Sequence, residues 1–135
     1  MSKQLIAEYH ERLWGRGDLT AIDDLFAPGA VVHVAGFDAA AVQSVRDDAS
    51  RYRGAFTDVS TRIEDLLADG DRVVLRWSTT GTHTGPYGKV AATGRVVTMT
   101  GVDIFRVEGE TVVEFWSLWD GLDVFDQLGV LPDFW

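Results

Sequence analysis

The pattern of apolar residues changes once along the chain, and this change restricts the fold more than any other feature. The first half has helical spacing, as in Leu5, Ile6, Tyr9 and Leu13 of a helix from Ser2 to about Trp14. The second half has strand-like runs joined by the hairpin turns "ADGDR" and "VEGET". Helices followed by an antiparallel meander predict an α+β fold, in which helices pack on one face of a curved sheet. Such a fold forms a cone with a pocket at its open end.

Composition narrows the classes of function. The 135 residues suit one domain spanning 1–135, and a formal charge of −9 disfavours nucleic acid and anionic membranes as partners. The absence of cysteine excludes disulfides, a thiolate nucleophile and cysteine-ligated metal, and fits a cytoplasmic protein. No signal peptide or apolar run of about 18 residues is evident. The three histidines lack the spacing of a metal site, so we expect no metal.

Two further helices are predicted in the first half. Asp18 is placed to cap a short helix over "LTAIDDLF", and Asp38 is placed to cap a helix over about 39–54. Tyr52 and Phe56, at the end of that helix, are predicted to form a roof over the pocket. A last helix is expected over "LDVFDQL".

Side chains alternate between the two faces of a strand, which predicts the residues that face the helices. Taken without bulges, the alternation places eight residues on that face: Trp77, His83, Met99, Asp103, Phe105, Trp116, Leu118 and Asp120. Burying a carboxylate costs several kcal/mol unless it is paired, hydrogen-bonded or protonated. Two carboxylates on an apolar face therefore indicate a functional site.

The opposite face is also apolar. It is predicted to carry Val113, Phe115 and Trp119, beside Val102 and Ile104. A patch of this kind is typical of an interface, so we expect a homodimer through the outer face of the sheet.

Four segments resemble the SnoaL-like polyketide cyclases, which belong to the larger group similar to nuclear transport factor 2 and ketosteroid isomerase. They are "GTHTGPYG" (81–88), "ATGRVV" (92–97), "DIFRVEGETVVEFWSLWD" (103–120) and "GLDVFDQLG" (121–129). The resemblance implies a cone-shaped α+β barrel. It also implies an intramolecular aldol condensation of a hydrophobic carbonyl substrate without metal or organic cofactor. Asp120 matches the family's acid/base aspartate, Trp116 its tryptophan, and His83 its histidine.

In this hypothesis Asp120 is the base, His83 is a hydrogen-bond donor or proton shuttle, and Asp103 tunes Asp120 or acts as a second acid. Trp77, Met99, Phe105, Trp116, Leu118, Tyr52, Phe56 and His33 are predicted to contact substrate. Other interpretations remain open. The same pocket suits epoxide opening, dehydration or isomerisation, or ligand binding without turnover. Asp120 could cap the last helix, and His33 could be structural. His10 is expected on a helix surface.

Overall fold

The computed structural model describes residues 2–34 and 41–134, which form four α-helices and five strands in those ranges. The helices are α1 (Ser2–His10), α2 (Thr20–Leu25), α3 (Val42–Ala55) and α4 (Gly121–Gln127). The strands are β1 (Phe26–Val34), β2 (Phe56–Asp69), β3 (Arg72–His83), β4 (Val96–Glu108) and β5 (Thr111–Trp119). The predicted cap Asp38 lies outside the described residues.

The strands form one curved, unclosed sheet in the order β1-β5-β4-β3-β2. The strands from β2 to β5 form the predicted antiparallel meander, and β1 pairs parallel with β5, so that the sheet is mixed. The α+β prediction is confirmed, with the parallel edge strand as an addition.

The core lies between the helices and the inner face of the sheet. Tyr9 of α1 packs against Phe26 and Phe105 with ring centroids 5.6 and 5.7 Å apart, and Phe105 packs against Phe115 at 4.9 Å. All four rings are buried. These contacts fix α1 across the middle of the sheet, where the cavity described below begins.

A β-bulge near the start of β5 reverses the faces that simple alternation predicts for that strand. Val107 pairs with Val112 but Arg106 pairs with Glu114, so Val113 is the extra residue. Beyond the bulge, Phe115, Ser117 and Trp119 face the helices. The predictions for this strand were therefore wrong: Trp116 and Leu118 lie on the outer face, and Phe115 and Trp119 on the inner face.

The first helix ends earlier than predicted. After His10 the chain continues as a π-helical turn, Glu11–Gly15, which carries Trp14. Contrary to expectation, His10 is fully buried, and its Nε2 lies 2.8 Å from Thr61 Oγ1. Burial lowers the His10 pKa to about 4, so the ring is neutral at pH 7.

Helix α4 is attached to the part of β4 that extends beyond β5. The side-chain amide of Gln127 accepts from Thr98 N at 2.9 Å and donates to Thr98 O at 2.7 Å. It thereby takes the place of a neighbouring strand. This contact holds Phe125 of α4 against the cavity.

Among the described residues, no helix is long and apolar enough to cross a membrane.

Candidate functional site

An apolar cavity of about 220 Å³ lies between the helices and the inner face of the sheet. Half of the sixteen residues that line it are aromatic: Tyr9, Trp14, Tyr52, Trp77, Tyr87, Phe115, Trp119 and Phe125. Trp14 stacks on Trp77 with centroids 6.5 Å apart and planes 6° from parallel. Such walls suit a flat, largely apolar molecule.

Asp103 is the buried carboxyl group of this cavity. It is 3% exposed, and its Oδ1 accepts a hydrogen bond of 2.8 Å from Ser117 Oγ on the neighbouring strand. Burial raises the Asp103 pKa to about 7, and the Ser117 hydroxyl and the nearby Trp77 indole oppose the rise to a smaller degree. The group therefore exchanges a proton near neutral pH, as a general acid/base requires.

Two hydrogen-bond donors accompany Asp103. The hydroxyl of Tyr9 and Nε1 of Trp77 are both buried. The Tyr9 hydroxyl has no hydrogen-bond partner among the residues described, whereas the Trp77 indole lies close enough to the Asp103 carboxylate to lower its pKa. Burial, with a smaller contribution from the Asp103 charge, raises the Tyr9 pKa well above its ordinary value. Tyr9 consequently keeps its proton and remains a donor. Because an unpartnered buried donor is costly, the Tyr9 hydroxyl is a candidate to bind an oxygen of a ligand.

The mouth of the cavity is more polar. Arg51 Nη1 pairs with Asp48 Oδ1 at 2.9 Å on α3, and the exposed part of this pair faces solvent. Tyr87 and Gly88 complete the rim from the loop 84–95, which connects β3 to β4. The sequence "TGPYGKVAATG" is thus part of a hairpin connection at the cavity rim.

Three of the predicted contact residues line the cavity, and two lie behind its wall. Tyr52, Trp77 and Met99 are among the lining residues. Phe105 is a core residue against Tyr9, and Phe56 stacks on Tyr52 at 4.7 Å. The last two support the wall without being part of it.

His83 is buried next to the loop and not at the cavity surface. Its Nδ1 accepts from Thr93 N at 3.1 Å and lies 2.9 Å from Thr93 Oγ1, while its ring packs on Phe56 at 5.2 Å. Because a backbone N–H must be the donor, the ring carries its proton on Nε2. His83 fixes the loop that carries Tyr87, which favours a positioning role over proton transfer.

The structure places Asp120 at the start of α4. Its side chain is exposed, and its Oδ1 accepts a hydrogen bond of 3.0 Å from Asp123 N, as a helix cap does. It is not among the residues that line the cavity. The catalytic role that the resemblance implies for Asp120 stays a prediction.

The remaining predicted contact residues lie on the outer face. His33 stacks on Trp116 at 5.1 Å and pairs with Glu114 at 2.8 Å, while Leu118 is 61% exposed. None of His33, Trp116 and Leu118 lines the cavity. The bulge at Val113 explains the position of Trp116 and Leu118.

Tyr9, Trp14 and Ser117 are candidate site residues that the sequence interpretation missed. Tyr9 was placed on the apolar face of the first helix and Trp14 only at its end, and alternation without a bulge puts Ser117 on the outer face. Arg106 offered a signal, since alternation along β4 puts it on the face opposite Asp103. Its Nε donates to Glu114 Oε1 at 3.1 Å, and pairing these opposite charges in the sequence would have revealed the shifted register.

Within residues 2–34 and 41–134, no three His, Asp or Glu side chains are grouped so as to hold a metal ion.

The family model for the SnoaL-like polyketide cyclases matches residues 4–128. The chain belongs to this family. The match includes all the strands and helices that form the cavity apart from the first two residues of α1. No curated protein matches the chain.

Solved structures support the same fold. AclR from Streptomyces galilaeus, a proposed hydroxylase, is 29% identical with a TM-score of 0.88, and the match covers 98% of this chain and 87% of AclR. IdmH from Streptomyces antibioticus, a proposed polyketide cyclase, is 29% identical with a TM-score of 0.83, and the match covers 96% and 99% of the two chains. Proteins similar to this chain thus carry different proposed reactions.

Proposed function

We propose that the protein is a cofactor-independent enzyme of the polyketide cyclase type, which removes a proton from carbon next to a carbonyl group of a hydrophobic substrate. Asp103 carries this proposal, because a buried carboxyl group with its pKa raised to about 7 faces an aromatic cavity. The proposal transfers the acid/base role from Asp120 to Asp103.

The reaction that fits the site is an intramolecular aldol condensation. Ionised Asp103 takes the proton from the carbon, and the C–H electron pair becomes an enolate. The enolate carbon then bonds to a second carbonyl carbon of the same molecule. The electron pair of that carbonyl moves to its oxygen, which receives the proton from Asp103. The carboxylate is regenerated, so the step needs neither oxidant nor reductant.

Tyr9 and Trp77 supply the stabilising donors in this scheme. Negative charge develops on the substrate oxygen, and a preorganised O–H and N–H in an apolar cavity stabilise it more than water would. Both donors are already buried; the Tyr9 hydroxyl is unpartnered among the described residues, and the Trp77 indole lies beside the Asp103 carboxylate. Their arrangement therefore fits an oxygen that becomes anionic.

The aromatic wall of the cavity supplies binding energy for a ligand but no reactive group. An accessory protein that only binds a ligand would need the same wall, but it would have no use for a carboxyl group with a raised pKa. Burying that group lowers stability above pH 7, so its presence in the cavity favours catalysis over binding alone.

Hydrogen exchange of 2-tetralone in D₂O, followed by NMR, tests the proposal. This two-ring ketone offers acidic hydrogens next to a carbonyl group. We expect the protein to accelerate exchange, with a rate that rises with pH through about 7 and then levels off. If calorimetry shows that 2-tetralone binds but exchange remains at the buffer rate, proton abstraction is excluded.

We also propose that the outer face of the sheet forms a homodimer. Leu118 is 61% exposed and Val31 is 51% exposed. On the same face the Trp116 ring stacks on His33, and its centroid is 5.0 Å from the guanidinium of Arg72. A Leu118→Glu variant is expected to be a monomer in light scattering where the parent chain is a dimer. A monomeric parent chain would contradict the proposal.

The cytoplasmic location stays a prediction.

A further inference from the structure

Gly101 of β4 lies directly opposite Trp77 of β3 in the sheet. Asp103 follows two residues later on the same face of β4. An aromatic side chain can reach such a diagonal neighbour on the adjacent strand, because the two positions are only about 7 to 8 Å apart. The Trp77 indole does so, since it lies close enough to Asp103 to oppose the rise of the pKa of that carboxyl group.

The indole occupies space that is free because residue 101 has no side chain. A Cβ atom at residue 101 would lie 2.8 Å from Trp77 Cε2, the carbon bonded to the N–H, and closer still to Cζ2. Carbon atoms that are not bonded pack at about 3.5 to 4.0 Å, so even alanine would displace the ring. The added atom would also lie 2.6 Å from the backbone oxygen of Leu118.

The indole has little room to move away from such an atom. Trp14 stacks on Trp77 with ring centroids 6.5 Å apart, and the ring of His10 lies 6.1 Å away. Both neighbours belong to the helical layer, and His10 is held by its contact of 2.8 Å with Thr61 Oγ1. A side chain at residue 101 would therefore shift the N–H of Trp77 together with its ring.

We propose that Gly101 is a positioning residue for the acid/base site, where its bare backbone lets the Trp77 indole lie on β4 with the N–H beside the Asp103 carboxylate. Ser117 donates to the same carboxylate from β5, so groups from both neighbouring strands act on it. A donor beside the ionised form favours that form, which keeps more of Asp103 able to accept a proton at neutral pH. The consequence for catalysis rests on the proposed function.

Titration of the Asp103 carboxyl carbon by NMR tests the inference in Gly101→Ala, Trp77→Phe and the double variant. Phenylalanine keeps an aromatic ring at residue 77 but removes the N–H and the outer ring. Each single substitution is expected to raise the midpoint by about 0.5 pH unit or more, because a donor to the carboxylate is lost or displaced. The double variant should titrate like Trp77→Phe, because Gly101 acts through the indole.

Gly81→Ala is the matched control. Gly81 lies on β3, where an added Cβ would be 2.9 Å from the Tyr52 hydroxyl oxygen and 3.0 Å from Phe56 Cβ. The crowding is similar, but it does not involve the Trp77 indole. Gly81→Ala is therefore expected to destabilise the fold and to leave the Asp103 midpoint unchanged.

Denaturant titrations show whether the indole is the group that requires glycine. Gly101→Ala is expected to lower the denaturation midpoint more in the parent protein than in Trp77→Phe, where the outer ring is gone. Folding of the double variant alone would have the same meaning. Equal losses in the two backgrounds, or failure of both alanine proteins to fold, would assign the requirement to Leu118 and overturn the inference.

The NMR titrations can overturn it as well. The contradicting results are a folded single variant whose Asp103 midpoint does not rise, a double variant that titrates above Trp77→Phe, or a raised midpoint in Gly81→Ala. Because no substrate is needed, these measurements are independent of 2-tetralone exchange. Failed exchange together with the expected midpoints would remove the proposed reaction and leave the placement of the indole by Gly101 intact.

Discussion

Asp103 and Asp120 are the same residue type in two different settings. Asp103 is 3% exposed within an aromatic cavity and accepts a side-chain hydrogen bond from Ser117. Asp120 is exposed and caps α4. Burial raises the proton affinity of the first carboxyl group, which lines the cavity, while the second caps a helix. The two settings lead to different expectations for variants of the two residues.

The largest expected difference is in proton abstraction. Asp103→Asn should lower the rate of 2-tetralone exchange by about 10³-fold or more, because the amide cannot accept the proton. Asp120→Asn should change it by less than about 3-fold, because asparagine also caps helices well. The reverse result, with exchange lost in Asp120→Asn alone, would support the role implied by family resemblance and refute ours.

The free energy of unfolding should show how much the buried carboxyl group of Asp103 destabilises the fold. The pKa of Asp103 is about 7 in the folded protein and near 4 in the unfolded chain. Because the folded protein binds this proton more tightly, protonation stabilises the folded state at low pH, and this stabilisation is lost as the pH rises through 7. Asp103→Asn should therefore raise the free energy of unfolding at pH 9 by about 2 to 4 kcal/mol, with a smaller gain at pH 5. Denaturant titrations at both pH values measure this. A destabilised variant at pH 9 would show that the carboxylate is well satisfied in the fold.

Asp103 also differs from Asp120 in having donors beside it. Tyr9→Phe should lower the exchange rate by about 10- to 100-fold, since one of two donors for the developing oxyanion is lost. The pH at which the rate levels off should stay constant, because the Asp103 pKa is set by burial, Ser117 and Trp77 and not by Tyr9. An unchanged rate would exclude Tyr9 from the site.

The smallest effect concerns the helix cap. Asp120→Ala should lower the free energy of unfolding by about 1 kcal/mol, because the hydrogen bond to Asp123 N is lost. Asp120→Asn should lower the free energy of unfolding by only about a few tenths of a kcal/mol. Chemical denaturation distinguishes the two variants. Equal stability of the alanine variant and the parent protein would mean that the cap contributes nothing.

The sequence predicted the α+β fold and the inner faces of β3 and β4 well, because Trp77, Met99 and Asp103 lie on strands whose alternation is unbroken. It predicted β5 poorly. Both faces of "EFWSLWD" are apolar, so hydrophobicity could not reveal that Val113 is an extra residue. His10 was misplaced because its partner Thr61 comes from a distant strand. Local patterns carry no information on such contacts.

The central claim is that the cavity raises the proton affinity of Asp103. Carbon-13 NMR of protein labelled at aspartate carboxyl groups measures this directly, with Asp103→Asn used to assign the resonance. We predict a titration midpoint of about 7 for Asp103. A midpoint near 4, the ordinary value for an aspartate, would contradict the account.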